Sequence, residues 1–203
     1  RGRHGIVVPM APSRGTVRAR LSQLEVRPGA PRENAARMRR QIAAARADGV
    51  SLLVFPELAI PGRLLGDEWE RPAFLRECEA AGEEIVAAAD GIVVVFGNVA
   101  VDRRRRGDDG RPRRHNAIFV AEDRRLLAPE GGGPPWIAKC RRRGGGFDDD
   151  RHFFSGARPA AAGRGGAPAR LCTPVATARA GVLGVMPRTG AGDDEDPLPA
   201  AGR

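Results

Sequence analysis

Leu52-Leu53-Val54-Phe55-Pro56-Glu57-Leu58 sets an unbroken apolar run against a proline and then a single carboxylate. Apolar side chains without polar alternation suit a strand covered on both faces, and a proline ends the ladder because it has no backbone donor. Residues 50–55 are therefore expected as a buried strand whose end carries Glu57. A carboxylate delivered there can serve proton transfer, or it can pair with a surface arginine.

The neighbouring segments supply the layers such a strand requires. Upstream, residues 17–24 alternate Val17, Ala19 and Leu21 with Arg18, Arg20 and Ser22, the period of a half-buried strand, and Pro28-Gly29 ends it. Ala35, Met38, Ile42 and Ala45 recur at spacings of three and four, predicting an amphipathic helix over 34–47 with Gly49 at its C-cap. Downstream, Phe74, Leu75, Cys78, Ile85 and Val86 share one face of a second helix over 72–89. Residues 92–101 read as a second buried strand, 102–114 as a charged hairpin loop, and 116–121 as the returning strand. A glycine-rich irregular loop over 126–135 leads to a short strand at 136–139. Two last strands, 172–178 and 182–186, flank a turn at Ala180-Gly181. This order describes one α/β layered domain over 16–203, preceded by a disordered leader over 1–15.

Composition narrows the function classes. At 203 residues and 41% hydrophobic, the chain can bury one sizeable core. It has no apolar run of about 18 residues and no signal-peptide core, so no membrane partner and a cytoplasmic location are expected. The net charge of +9 comes from arginine runs at 103–106, 111–114 and 141–143. Arginine replaces lysine almost throughout and tyrosine is absent, a bias of composition, and no recognition motif accompanies the charge. A specific nucleic-acid partner is not expected. Cys78, Cys140 and Cys172 form neither a disulfide framework nor a C-x-x-C pair, and His4, His115 and His152 are dispersed, so neither a metal nor another cofactor is expected.

Lys139 is the single lysine among 34 basic residues. A guanidinium stays protonated in a protein, whereas an ammonium is a compact, tunable charge suited to a developing anion. Its uniqueness marks Lys139 as a candidate site residue beside Glu57.

Phe55-Pro56-Glu57-Leu58 with Gly62 and Asp67, Phe96-Gly97-Asn98, Asn116-Ala117, Lys139 and Phe147-Asp148-Asp149-Asp150-Arg151-His152-Phe153-Phe154 occur in that order. In this the chain resembles the carbon-nitrogen hydrolase (nitrilase) superfamily, and within it the glutaminase domain of glutamine-dependent NAD synthetases. The resemblance implies an α-β-β-α sandwich that pairs with a second copy, and a Glu-Lys-Cys site. Glu57 would then be the general base and Lys139 the oxyanion stabiliser, with Asp148 and Asp149 as possible supporting acids beside Asp150. The small-molecule substrate would be an amide, glutamine first among them.

One position departs from the pattern. Where the family reads Gly-Val-Met-x-Cys-Glu-Asp, this chain reads Gly184-Val185-Met186-Pro187-Arg188-Thr189-Gly190, so Arg188 stands in the nucleophile's place. Arginine has no nucleophilic atom at neutral pH. Arg63 replaces a usual Gly-Tyr, and residues 142–144 replace Pro-Asn-Tyr. Cys140 adjoins Lys139, but neighbouring strand residues face opposite ways, and Cys172 lies on a strand with a core pattern. The expectation is a C-terminally truncated, incomplete hydrolase domain of impaired activity, lacking the synthetase domain or subunit of its relatives. The alternative is a catalytically dead interaction module that keeps the family's dimer surface.

Overall fold

A computed structural model describes residues 16–107, 109–131, 133–139, 153 and 173–185. The quoted run forms β2 (Leu52–Val54), with β1 (Ala19–Leu21) preceding it. β2 pairs in parallel with β1 on one side and with β3 (Val93–Arg106) on the other. β3 turns back into β4 (Pro112–Glu122), and β5 (Arg125–Leu126) and β6 (Ile137–Ala138) both pair antiparallel with β4. The result is a six-stranded mixed sheet with the order β1-β2-β3-β4-β5 and β6 on β4.

Both parallel connections run through helices, as parallel pairing requires. α1 (Pro31–Ala47) buries Ala35, Met38, Ile42 and Ala45, and α2 (Pro72–Ala88) buries Phe74, Cys78, Ala81 and Ile85. Both helices have a proline in the first turn, where no intrahelical donor is lost. α1 starts three residues before its apolar period because Pro31 is accommodated there. It ends at Asp48, followed by Gly49 at φ 69°, the left-handed position a glycine favours. The two helices pack with Leu53, Val94 and Phe96 to cover one face of the sheet.

The opposite face carries Val93, Val120 and Ile137, and against them packs Val175 from a second sheet. That sheet is the hairpin of β7 (Thr173–Thr177) and β8 (Gly181–Val185). The layers are therefore helix, sheet, sheet, a mixed α/β architecture that follows the expected sandwich through three layers. Among the described residues no helix is long and apolar enough to cross a membrane.

Two expectations need correction, and one element is added. The segment 102–114 is not a loop. The ladder continues through Asp102 and Arg113 and, after a bulge, pairs Arg106 with Pro112, leaving only a short turn. Charge does not prevent pairing here because the arginines find acids, Arg103 at Glu79 and Arg114 at Glu70. The alternation at 17–24 yields only a three-residue strand, and its apolar side is the exposed one. Leu21 is 79% and Val17 43% exposed, while Arg20 reaches Asp48 at 2.7 Å and Ser22 meets Gln41. Leu21 aligns with Val54 and Val95 on the second-sheet face, at an edge that the β7–β8 hairpin does not reach. A 3-10 helix, Gly66–Glu70, was not anticipated; it buries Trp69 completely. The leader expected over 1–15 lies outside the described residues.

Candidate active site

Pro56 ends β2, and the chain then bends sharply across β3. The bend brings its backbone onto Gly97, where a side-chain carbon would sit 2.8 Å from the Glu57 Cα. Glycine is the residue that permits this approach. Leu58 takes φ 50° while staying buried, and Gly62 takes φ 83° against Pro28. Leu64 takes φ 61° farther along. Left-handed backbone at non-glycine residues costs about 1–2 kcal/mol each and concentrates at functional segments. Asn34 steadies the turn from beneath, donating to the carbonyls of Arg27 (2.7 Å) and Ile60 (2.9 Å) and accepting from the Arg27 N–H (2.9 Å).

The structure brings Glu57 and Lys139, 82 positions apart in sequence, to 2.7 Å between Oε1 and Nζ. Lys139 follows β6, and its backbone N–H donates to the Asn116 carbonyl at 2.7 Å. Asn116 Nδ2 donates to the same Glu57 oxygen at 2.5 Å. Arg63 approaches the other oxygen, Oε2, at 3.3 Å. The lysine side chain is 12% exposed and that of the glutamate 36%, so the ammonium is largely covered while the carboxylate remains partly open to solvent.

Burial pushes the Glu57 carboxyl upward. The hydrogen bonds from Lys139 and Asn116, with the positive charges of Lys139 and Arg63, outweigh it and hold the group below the ordinary carboxylate range. Glu57 is therefore ionised at neutral pH. A carboxylate has about four lone-pair sites, and among the described residues three donors occupy them, leaving one on Oε2. The ammonium keeps two further N–H bonds for another acceptor. One group able to accept a proton thus adjoins one able to stabilise a new negative charge.

The hairpin of the second sheet is oriented by Glu122, which is 4% exposed. Its carboxylate accepts the backbone N–H groups of Ala178 (2.7 Å) and Arg179 (3.0 Å) and the Arg179 guanidinium (3.2 Å). This fixes the β7–β8 turn at the end of β4 remote from Asn116.

Several site candidates fall outside the described residues: Arg188, Asp148, Asp149, Asp150, Cys140 and Cys172. Of the segment 147–154 only Phe153 is described; it is buried and packs edge-on against Trp69, with ring centroids 4.8 Å apart. Cys78 is buried on α2, and burial raises its thiol pKa, which leaves it an inert core residue. Among the described residues no group of three or more His, Cys, Asp and Glu side chains could hold a metal.

Asn116 was visible only as a residue of a motif and Arg63 only as a departure from one, both without roles. The Asn116 signal was a polar amide inside a strand of otherwise apolar pattern. Asn98, in Phe96-Gly97-Asn98, carries the same signal, and its side chain donates to the Cys78 carbonyl at 2.8 Å. No sequence period encodes Arg63's contact, which depends on the left-handed turns at Leu58 and Gly62.

No family model matches the chain. It is 42% identical over 83 residues to the glutamine-dependent NAD(+) synthetase of Xanthomonas campestris pv. campestris, an alignment covering 40% of this chain and 15% of that protein. The same synthetase of Xylella fastidiosa is 40% identical over 82 residues, covering 40% and 15%. Among solved structures, the glutamine-dependent NAD+ synthetase of Acinetobacter baumannii superimposes with a TM-score of 0.54 at 27% identity, over 68% of this chain and 24% of that one. An amidase of the nitrilase superfamily from Nesterenkonia AN1 shares the fold, with a TM-score of 0.54 at 22% identity, over 70% and 50% of the two chains. The aligned region thus spans about a seventh of the length of the curated relatives.

Proposed function

We propose that this chain, a domain of the carbon-nitrogen hydrolase (nitrilase) superfamily similar to the glutaminase part of NAD synthetases, carries an amide-hydrolysing site built on Glu57 and Lys139 and impaired by Arg188. The observation that carries the reading is the 2.7 Å contact between the carboxylate and the chain's single lysine.

In the complete reaction, Glu57 takes the proton of a thiol and the sulfur attacks the amide carbon. The carbonyl π electrons move to oxygen, where Lys139 stabilises the negative charge. As the carbonyl re-forms, the C–N bond breaks and Glu57 returns its proton to the departing ammonia. Water then adds to the thioester, giving a proton to Glu57, and the S–C bond breaks to release the acid and restore the thiol. The relatives named as glutamine-dependent synthetases support glutamine as the substrate. Arginine at position 188 supplies no attacking sulfur, so this chain would carry the base and the oxyanion group without the nucleophile.

Ammonia release from glutamine tests the proposal. The parent chain is expected to release little, and Arg188→Cys to release more, in a manner abolished by adding either Glu57→Gln or Lys139→Ala. Release that survives both additions would sink the Glu57–Lys139 assignment.

A second reading, an interaction module without turnover, draws on the exposed apolar side chains Leu21 and Val182. A clean monomer by size exclusion, with no crosslinked second copy, would remove it.

A further inference from the structure

We infer that Asn116 is a positioning residue that fixes which Glu57 oxygen stays open to a proton and holds the glutamate and the lysine in one frame. Its functional meaning rests on the amide-hydrolase reading above; its geometry stands independently of it.

Asn116 lies on β4 opposite Val99 and touches both partners through different groups. Its side-chain amide donates to Glu57 Oε1 at 2.5 Å, and its backbone carbonyl accepts the Lys139 N–H at 2.7 Å. The first bond fixes a carboxylate and the second fixes the strand end from which the lysine reaches that same carboxylate. Oε1 is thereby loaded twice, by Asn116 and Lys139, while among the described residues Oε2 has only the longer 3.3 Å contact from Arg63. This unequal loading leaves Oε2 with the open lone pair.

The side chain suits this position on chemical grounds. A carboxamide nitrogen donates without adding charge, so it orients the carboxylate and favours its ionised form. Aspartate is the same size but, when ionised, only accepts hydrogen bonds and would repel Glu57. Leucine fills similar space and offers no donor. The adjacent residue reinforces the arrangement from the other side of the strand, where His115 stacks on Trp136 with centroids 4.9 Å apart, immediately before β6.

The test is an NMR titration of the Glu57 side-chain carboxyl in the whole chain, with amide exchange at Lys139 read in the same samples. Asn116→Leu and Asn116→Asp are expected to move the Glu57 midpoint upward, the aspartate variant farther because it adds a like charge. Protection of the Lys139 amide is expected to persist, since that bond is to the backbone. Should Asn116→Leu fail to fold, Asn116→Ser decides, because its hydroxyl is too short to reach Oε1 and the same upward shift is expected. An unmoved midpoint in the folded variants, or loss of Lys139 protection together with any shift, would overturn the inference. Neither readout needs turnover, so a chain inert toward amides would count against the hydrolase reading and leave this one intact.

Discussion

Glu57 is held ionised by its donors, and that has a defined consequence in acid. Its carboxyl titrates below the ordinary range in the folded chain and at about 4.3 when unfolded. A group with a depressed folded pKa contributes stability that is present above the unfolded value and lost as pH falls through the folded one. Glu57→Gln should therefore flatten the dependence of stability on pH in that acid window and leave its slope near neutrality unchanged. Urea unfolding at a series of pH values would check this, and identical slopes in acid would contradict it. Arg63→Ala removes one of the positive charges that lower the Glu57 pKa, so the carboxyl should titrate higher, by carboxyl NMR. At this scale the sequence exposed Lys139 through its uniqueness and Glu57 through the apolar run before it. It hid Arg63, because that contact arises from a left-handed bend rather than from any period.

The strands place these side chains through two close fits. Gly97 sits in β3 under the Glu57 bend, and a methyl there would meet backbone rather than a movable side chain. Gly97→Ala should cost about 1–3 kcal/mol by overpacking and displace Glu57 from Lys139. A drop in the denaturation midpoint together with a changed Glu57 titration is the expected pair of results. Glu122 is the second fit. Glu122→Ala leaves the Ala178 and Arg179 N–H groups without their acceptor, a loss of about 1–3 kcal/mol. Faster amide exchange confined mainly to β7 and β8 would bear this out, and unchanged exchange there would refute it. The helices were legible because Met38, Ile42, Cys78 and Ile85 repeat at helical spacing. The β3–β4 ladder was not legible past Val101, since backbone pairing tolerates charged side chains on both strands once Glu79 compensates Arg103 on β3 and Glu70 compensates Arg114 on β4.

On the scale of the molecule, strands of one sheet, backed by a helix layer, bring residues distant in sequence to a single cluster. The sequence order strand, helix, strand, helix, strand made this layering readable. The exposure of Leu21 was not readable, because alternation specifies that a strand has two faces and not which of them finds a cover. Under the proposed function, Glu57 and Lys139 serve an amide attack by a nucleophile at position 188. The most direct test is peptide-level mass spectrometry of Arg188→Cys after exposure to a glutamine-mimicking, thiol-directed electrophile, with Lys139→Ala added as the control. The expected result is an adduct on the introduced sulfur that forms faster than at Cys78, Cys140 or Cys172 and that is lost with Lys139. Labelling spread over the native thiols, or an adduct at position 188 indifferent to Lys139, would contradict it.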